Sequence, residues 1–111
     1  KRLDFMNEVD LYTLFGNAID NAIEAVMKLG EEKRVISFTT NETGELFSVN
    51  IRNYFSGSVI FEGGLPVTTK ENKDYHGFGM KSIMNVAEKY DADVSVVTDG
   101  DVFNLNILFP L

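Results

Sequence analysis

Two asparagines stand one helical turn apart in the run GNAIDNAIEA, Gly16 to Ala25, within a segment whose apolar residues otherwise recur at helical spacing. Asn17, Asn21, Glu24 and Lys28 follow one another at intervals of four, three and four, so on a helix they form one polar line beside an apolar stripe. Each asparagine lowers helix propensity by roughly 0.5 kcal/mol relative to alanine, and that cost asks for a reason. A solvated face would ordinarily use Glu and Lys, which appear only at the far end of the line. An amide oxygen is a hard, neutral donor of the kind Mg²⁺ accepts, and Mg²⁺ takes few protein ligands when substrate phosphates supply the rest. A metal–nucleotide site and a water-facing line both fit, and the spacing alone does not choose between them.

The second candidate is HGFGMKS, His76 to Ser82. Gly77 and Gly79 would let the backbone approach an anion, and the free amides of a helix start favour negative charge. A plain loop-to-helix junction would use the same glycines. Lys70, in Thr68-Thr69-Lys70, could meet a phosphate as a point charge or simply face solvent. His76 could contact a ligand, bond the helix start or accept a phosphoryl group. Met80 and Met84 are most simply core filler.

Several elements must position these residues. Leu11, Leu14, Phe15, Ala18, Ile19, Ala22, Val26 and Leu29 predict a helix from Asp10 to Leu29, with Asp10 as N-cap and Gly30 as its stop. Arg34 to Thr40 and Leu46 to Asn53 read as strands of a hairpin turning through Asn41-Glu42-Thr43-Gly44. From Tyr54 to Gly77 there is no sustained period, and irregular stretches of that length inside compact domains are usually functional. Met80, Ile83, Met84, Ala87 and Tyr90 mark a second helix, followed by strands Val94 to Thr98 and Val102 to Phe109 joined through Asp99-Gly100. This order predicts helices on one face of a mixed, mostly antiparallel sheet, an α+β two-layer sandwich.

With 111 residues, 44% of them hydrophobic, the chain suffices for one domain over 1–111 with a real core. It starts at Lys1 in what reads as mid-element, as a fragment of a larger protein would. No apolar run is long enough to cross a bilayer and no leader precedes the first helix, so no direct membrane insertion of this segment is expected. The absence of cysteine and the single histidine argue against a zinc cluster. A net charge of -7 argues against nucleic acid as a partner, and the one basic pair, Lys33-Arg34, sits beside Glu31-Glu32 as a solvated turn would.

In this order the motifs resemble those of the GHKL (Bergerat-fold) ATP-binding domains of sensor histidine kinases. Asn17-Ala-Ile-Asp-Asn21-Ala-Ile-Glu-Ala resembles the N box and His76-Gly-Phe-Gly-Met the last glycine box. Thr68-Thr69-Lys70 and the terminal strand are similar to the subfamily that includes quorum-sensing peptide receptors. The resemblance covers about Asp10 to Pro110 and implies an α/β sandwich with ATP between the helices under a lid. Position by position, it implies that Asn21 binds Mg²⁺, that Asn17 lies near the phosphates, and that Gly77, Phe78, Gly79 and Met80 line them. It further implies that Thr68 to His76, with Thr69 and Lys70, form the lid. Hydrolytic relatives such as gyrase place a glutamate at the position of Asn17 to activate water. An amide is a very poor base, so transfer to a protein acceptor is the better expectation.

Most histidine kinases carry Asp-x-Gly-x-Gly after the second central strand, where this chain has Asn53-Tyr54-Phe55-Ser56-Gly57. Asn53 could accept the adenine amino group through its carbonyl oxygen, without the charge. Asp101 stands where a threonine is usual. The resemblance implies a protein histidine kinase domain using ATP and Mg²⁺, with Asn17 and Lys70 at the reacting phosphate. Its partners would be the dimerisation and phosphoacceptor domain of the same protein and a response regulator, in a homodimeric, membrane-anchored sensor whose kinase domain is cytoplasmic. Alternatives on the same fold are a non-catalytic nucleotide- or partner-binding module and an anti-sigma-type protein serine kinase.

Overall fold

Helix α1 spans Glu8–Val26 and starts at Asn7, whose extended backbone (φ -74°, ψ 163°) and side chain form the cap. Asn7 Oδ1 accepts from the Asp10 backbone N–H at 2.8 Å, while Asp10 Oδ2 accepts from Asn7 Nδ2 at 3.0 Å, a reciprocal box across the first turn. The expected cap at Asp10 is thus displaced by three residues, and Asp10 is the inner partner of the box. At the other end the regular helix stops at Val26, because Lys28 and Leu29 donate to carbonyls three residues back and the turn tightens. Gly30 is not its stop. It has φ -66° and caps a short 3-10 turn, Glu31–Lys33. Arg34 covers the carbonyl left at Leu29, donating from Nε at 2.9 Å.

The computed structural model describes residues 4–56, 61–62, 65–66 and 78–111. Strands β1 (Ile36–Thr43) and β2 (Leu46–Tyr54) form the first hairpin. Thr43 pairs with Leu46, so the turn is only Gly44-Glu45, with Gly44 at φ 61°. Strands β3 (Phe61–Glu62) and β4 (Leu65–Pro66) make a small antiparallel pair within the stretch read as aperiodic. Helix α2 (Phe78–Lys89) leads to β5 (Asp93–Asp99) and β6 (Val102–Pro110), whose turn is Gly100-Asp101 rather than Asp99-Gly100. Gly100 sits at φ 63°. In both hairpins pairing continues until only two residues remain, and glycine takes the first, where positive φ is required.

The main sheet has the order β1-β2-β6-β5, with every pairing antiparallel. Phe47, Val49, Ile51, Leu105, Ile107 and Phe109 are buried at alternate positions of the two central strands. They meet Leu14, Ala18 and Ala22 of α1 and Ile83 and Val86 of α2 in one cluster, so both helices cover the same sheet face. The outer face is mixed: Leu46, Val97 and Leu108 are exposed there, beside Asn50, whose Nδ2 donates to Asn106 Oδ1 at 2.6 Å. The result is the expected two-layer α+β sandwich. Among the described residues, no helix is long and apolar enough to cross a membrane.

Candidate functional site

A clasp between the two helices orients the candidate residues. Asp10, nearly buried, accepts from the Tyr90 hydroxyl at 2.6 Å and from Lys89 Nζ at 2.9 Å, in addition to Asn7. The Tyr90 hydroxyl, followed by the Lys89 ammonium, holds the Asp10 carboxyl below the usual carboxylate range. Asp10 in turn holds the Lys89 ammonium above its ordinary value. The clasp fixes the start of α1 against the end of α2. The two packed helices therefore run in opposite senses, and the later turns of α1 lie toward the same end of the helical layer as the start of α2.

That geometry gives the asparagine line its setting. Asn17 and Asn21 follow Asp10 by seven and eleven residues, two and three turns, and so share the flank of α1 that the clasp turns toward α2. Both are partly buried, unlike a line given wholly to water. Asn17 Nδ2 donates to the Thr13 carbonyl at 2.7 Å. This bond commits the amide nitrogen to the helix itself, and the hard carbonyl oxygen is the atom Asn17 can offer to a ligand.

Asn53 ends the inward row of β2. It is buried, with 6% of its surface exposed, and pairs across the sheet with Ile36 and Phe103. Its Nδ2 donates to the Tyr54 carbonyl at 2.8 Å, so here too the amide oxygen is the atom left to accept. It also borders a shallow depression with Val35, Ser37, Arg52, Tyr54 and Val102, a place that neither Asn17 nor Asn21 reaches.

The strand end carrying Asn53 is pinned. Phe55 N–H donates to the Asp101 carbonyl at 2.9 Å, and Lys33 Nζ, paired with Asp101 at 2.6 Å, lies 5.2 Å from the Tyr54 ring centre. The Asp101 carboxylate raises the Lys33 ammonium, and Lys33 lowers the Asp101 carboxyl. Asp101 is thus a partner for the β2 exit.

Phe78 and Gly79 open α2, where the amides of a first turn are available to an anion. Met80 is buried in the core cluster, so toward a ligand it offers backbone only. Thr68, Thr69, Lys70, His76 and Gly77 lie outside the described residues. The clasp thus turns the flank that carries Asn17 and Asn21 toward α2, with Asn17 at mid-helix and Asn21 nearer the level of the α2 start. The sequence reading missed the clasp that does so, although Asn7 three residues before Asp10 was a visible box signal.

Comparison with known proteins bears on this arrangement. The histidine kinase AdeS of Acinetobacter baumannii has the same fold, with a TM-score of 0.63 at 11% identity over 91% of this chain. The chain spans 45% of the AdeS chain it matches. No curated protein sequence matches the chain significantly. The GHKL domain family matches residues 6–110, nearly the full length, a span that includes both helices joined by the clasp. The chain belongs to the GHKL domain family.

Proposed function

We propose that this chain is the catalytic and ATP-binding domain of a sensor histidine kinase, passing the γ-phosphoryl group of Mg-ATP to a histidine on a separate dimerisation helix. The observation that carries the reading is the amide pair Asn17 and Asn21, partly buried on the α2-facing flank of α1 in a GHKL domain. Their donor set suits the ion: neutral, hard oxygens in small number, which leave most positions around Mg²⁺ to phosphate and water. When bound, Mg²⁺ neutralises charge on the phosphate oxygens.

In this reading Asn21 holds the metal and Asn17 orients the phosphates, and the first amides of α2, at Phe78 and Gly79, take up negative charge. Met80 adds backbone there. Asn53 accepts from the adenine amino group through Oδ1. Gly77, Thr69, Lys70 and His76 complete the phosphate and lid contacts, with Lys70 as the cation at the γ-phosphate. Asn17, an amide where hydrolytic relatives place a glutamate, is a very poor base toward water, which favours transfer over hydrolysis. Catalysis is then positioning and charge neutralisation, and the chain alone should bind nucleotide while doing little chemistry. The acceptor helix, a response regulator and a cytoplasmic place in a homodimeric, membrane-anchored sensor complete the proposal.

Calorimetric titration with Mg-ATP tests it. The wild-type chain should bind, and Asn21→Ala should remove the Mg²⁺-dependent part of binding while the helical signal persists. An intact fold with no heat at millimolar nucleotide would favour a non-catalytic module. If the domain transfers phosphate to a serine, the product is acid-stable, whereas phosphohistidine is acid-labile. Unchanged Mg²⁺-dependent binding by Asn21→Ala would remove that residue from the site.

A further inference from the structure

The side chain of Asn53 has two unlike ends. A carboxylate accepts through either oxygen, whereas an amide accepts through Oδ1 and donates through Nδ2. Which end faces a ligand must therefore be set by the protein, and the exit of β2 supplies the setting.

Asn53 Nδ2 donates to the Tyr54 carbonyl at 2.8 Å. Strand β1 begins at Ile36, opposite Asn53, so no residue of β1 stands across from Tyr54 and its carbonyl lies beyond the ladder of the first hairpin. The same peptide unit carries the Phe55 N–H, which donates to the Asp101 carbonyl at 2.9 Å. A planar trans peptide points its N–H and C=O in opposite directions, so these two bonds hold one plane from both sides. Asp101 is itself held, its carboxylate 2.6 Å from Lys33 Nζ, and that ammonium lies 5.2 Å from the Tyr54 ring centre. Turning the Asn53 amide over would set Oδ1 against the Tyr54 oxygen, two acceptors with no proton between them. Oδ1 is thus the end left for a ligand. It has no partner among the described residues, and no buried side-chain oxygen among them lacks one, so this atom is open to solvent although the residue is buried.

From this we infer that Asp101 and Lys33 are positioning residues for the nucleotide base: through the Tyr54–Phe55 peptide they keep an acceptor at Asn53 Oδ1, so the domain takes 6-aminopurine nucleotides and rejects 6-oxopurine ones. The inference rests on the kinase reading, in which Asn53 meets the base. A 6-amino group donates to Oδ1, while a 6-oxo group brings a second acceptor to it. An aspartate at this position would leave one oxygen facing the Tyr54 oxygen, so the amide and the pinned peptide belong together. A half-exposed ion pair such as Lys33–Asp101 adds little to stability, which separates its part in selectivity from any part in folding.

Calorimetric titration of the 111-residue chain with Mg-ATP and with Mg-ITP, which carry the same triphosphate, tests it. ITP should bind at least about tenfold more weakly than ATP. Phe55→Pro removes the N–H that holds the peptide and suits an extended Tyr54 before it, so the amide can turn and the ratio should fall by at least about threefold. Phe55→Ala keeps that N–H and should keep the ratio. Lys33→Met and Asp101→Ala, which each break the ion pair, should lower the ratio in the same direction, Lys33→Arg should preserve it, and these variants supply the test if Phe55→Pro fails to fold. The ratio is the readout because a merely structural role would weaken both nucleotides together. With ATP still bound, equal binding of ITP by the wild-type chain, or a ratio left unmoved by Phe55→Pro or by both Lys33→Met and Asp101→Ala, would overturn the inference and leave the kinase reading standing. A folded chain that binds neither nucleotide would overturn both.

Discussion

Gly16 is the ninth of nineteen residues in α1, where glycine is among the poorest helix formers. Gly16→Ala should therefore stabilise the fold, by an amount the structure lets us bound. A Cβ at this position meets nothing within 4 Å, so no clash subtracts from the gain and no new burial adds to it. What remains is the backbone difference between glycine and alanine in a helix interior, about 0.8–1.0 kcal/mol. With an unfolding entropy of about 2.1 cal/mol/K per residue, that is a rise of roughly 4 °C in Tm for a chain of this length. Urea unfolding followed by circular dichroism is the assay. The midpoint should rise with the slope unchanged, since the surface exposed on unfolding is the same. A midpoint that stays or falls would refute the reasoning, because it would mean that the isolated helix needs glycine here.

Asp91 adopts φ 59° just after α2, where Ala92 N–H donates to the Ala87 carbonyl at 2.9 Å and Asp91 N–H to Glu88 at 3.2 Å. This is a Schellman ending with an aspartate in the glycine position, so Asp91→Gly should stabilise by about 0.5–1 kcal/mol, read from the same urea midpoint. The Asp10 clasp predicts a pH dependence. Its folded pKa is depressed, so its contribution is present above the ordinary carboxylate value and is lost as pH falls through the folded one. Tyr90→Phe should accordingly lower the midpoint at neutral pH, with the gap from wild type closing in acid; a gap of constant size would contradict the assignment. Lys89 has the opposite sign: its raised pKa gives a contribution complete below the ordinary lysine value and lost as pH rises through the folded one, so Lys89→Met should narrow its gap from wild type only in strong alkali.

Much of the architecture was legible because burial wrote a period into the chain. The alternation of Phe47, Val49 and Ile51 and of Leu105, Ile107 and Phe109 marks the two central strands, which the helices cover on one side only. Element ends were less legible. Asn7 and Asp10 are both good caps, and only the reciprocal bonds with the Tyr90 contact decide between them. Both turns were drawn too early in the chain because polar residues such as Asn41 and Asp99 can extend a strand once a partner is paired opposite them. At the site, residue type singled out Asn17 and Asn21, but not the setting that α2 gives them. The apolar period on α1 also ran together two surfaces. It could not tell residues such as Leu14, which the sheet covers, from Val9 and Tyr12, which nothing within the described residues covers.

The placement of β6 between β2 and β5 has a consequence for how the domain is made. Residues 46–54 must wait for residues 102–110 before either central strand has both neighbours. During synthesis the first hairpin and α1 can assemble early, yet they have only half a layer to lie on until the last strand leaves the ribosome. Such long-range closure slows folding relative to local pairing. Phe47, Val49 and Ile51 then stay only partly covered from their own synthesis until residues 102–110 follow, which makes this interval the one in which a chaperone would find the most to hold.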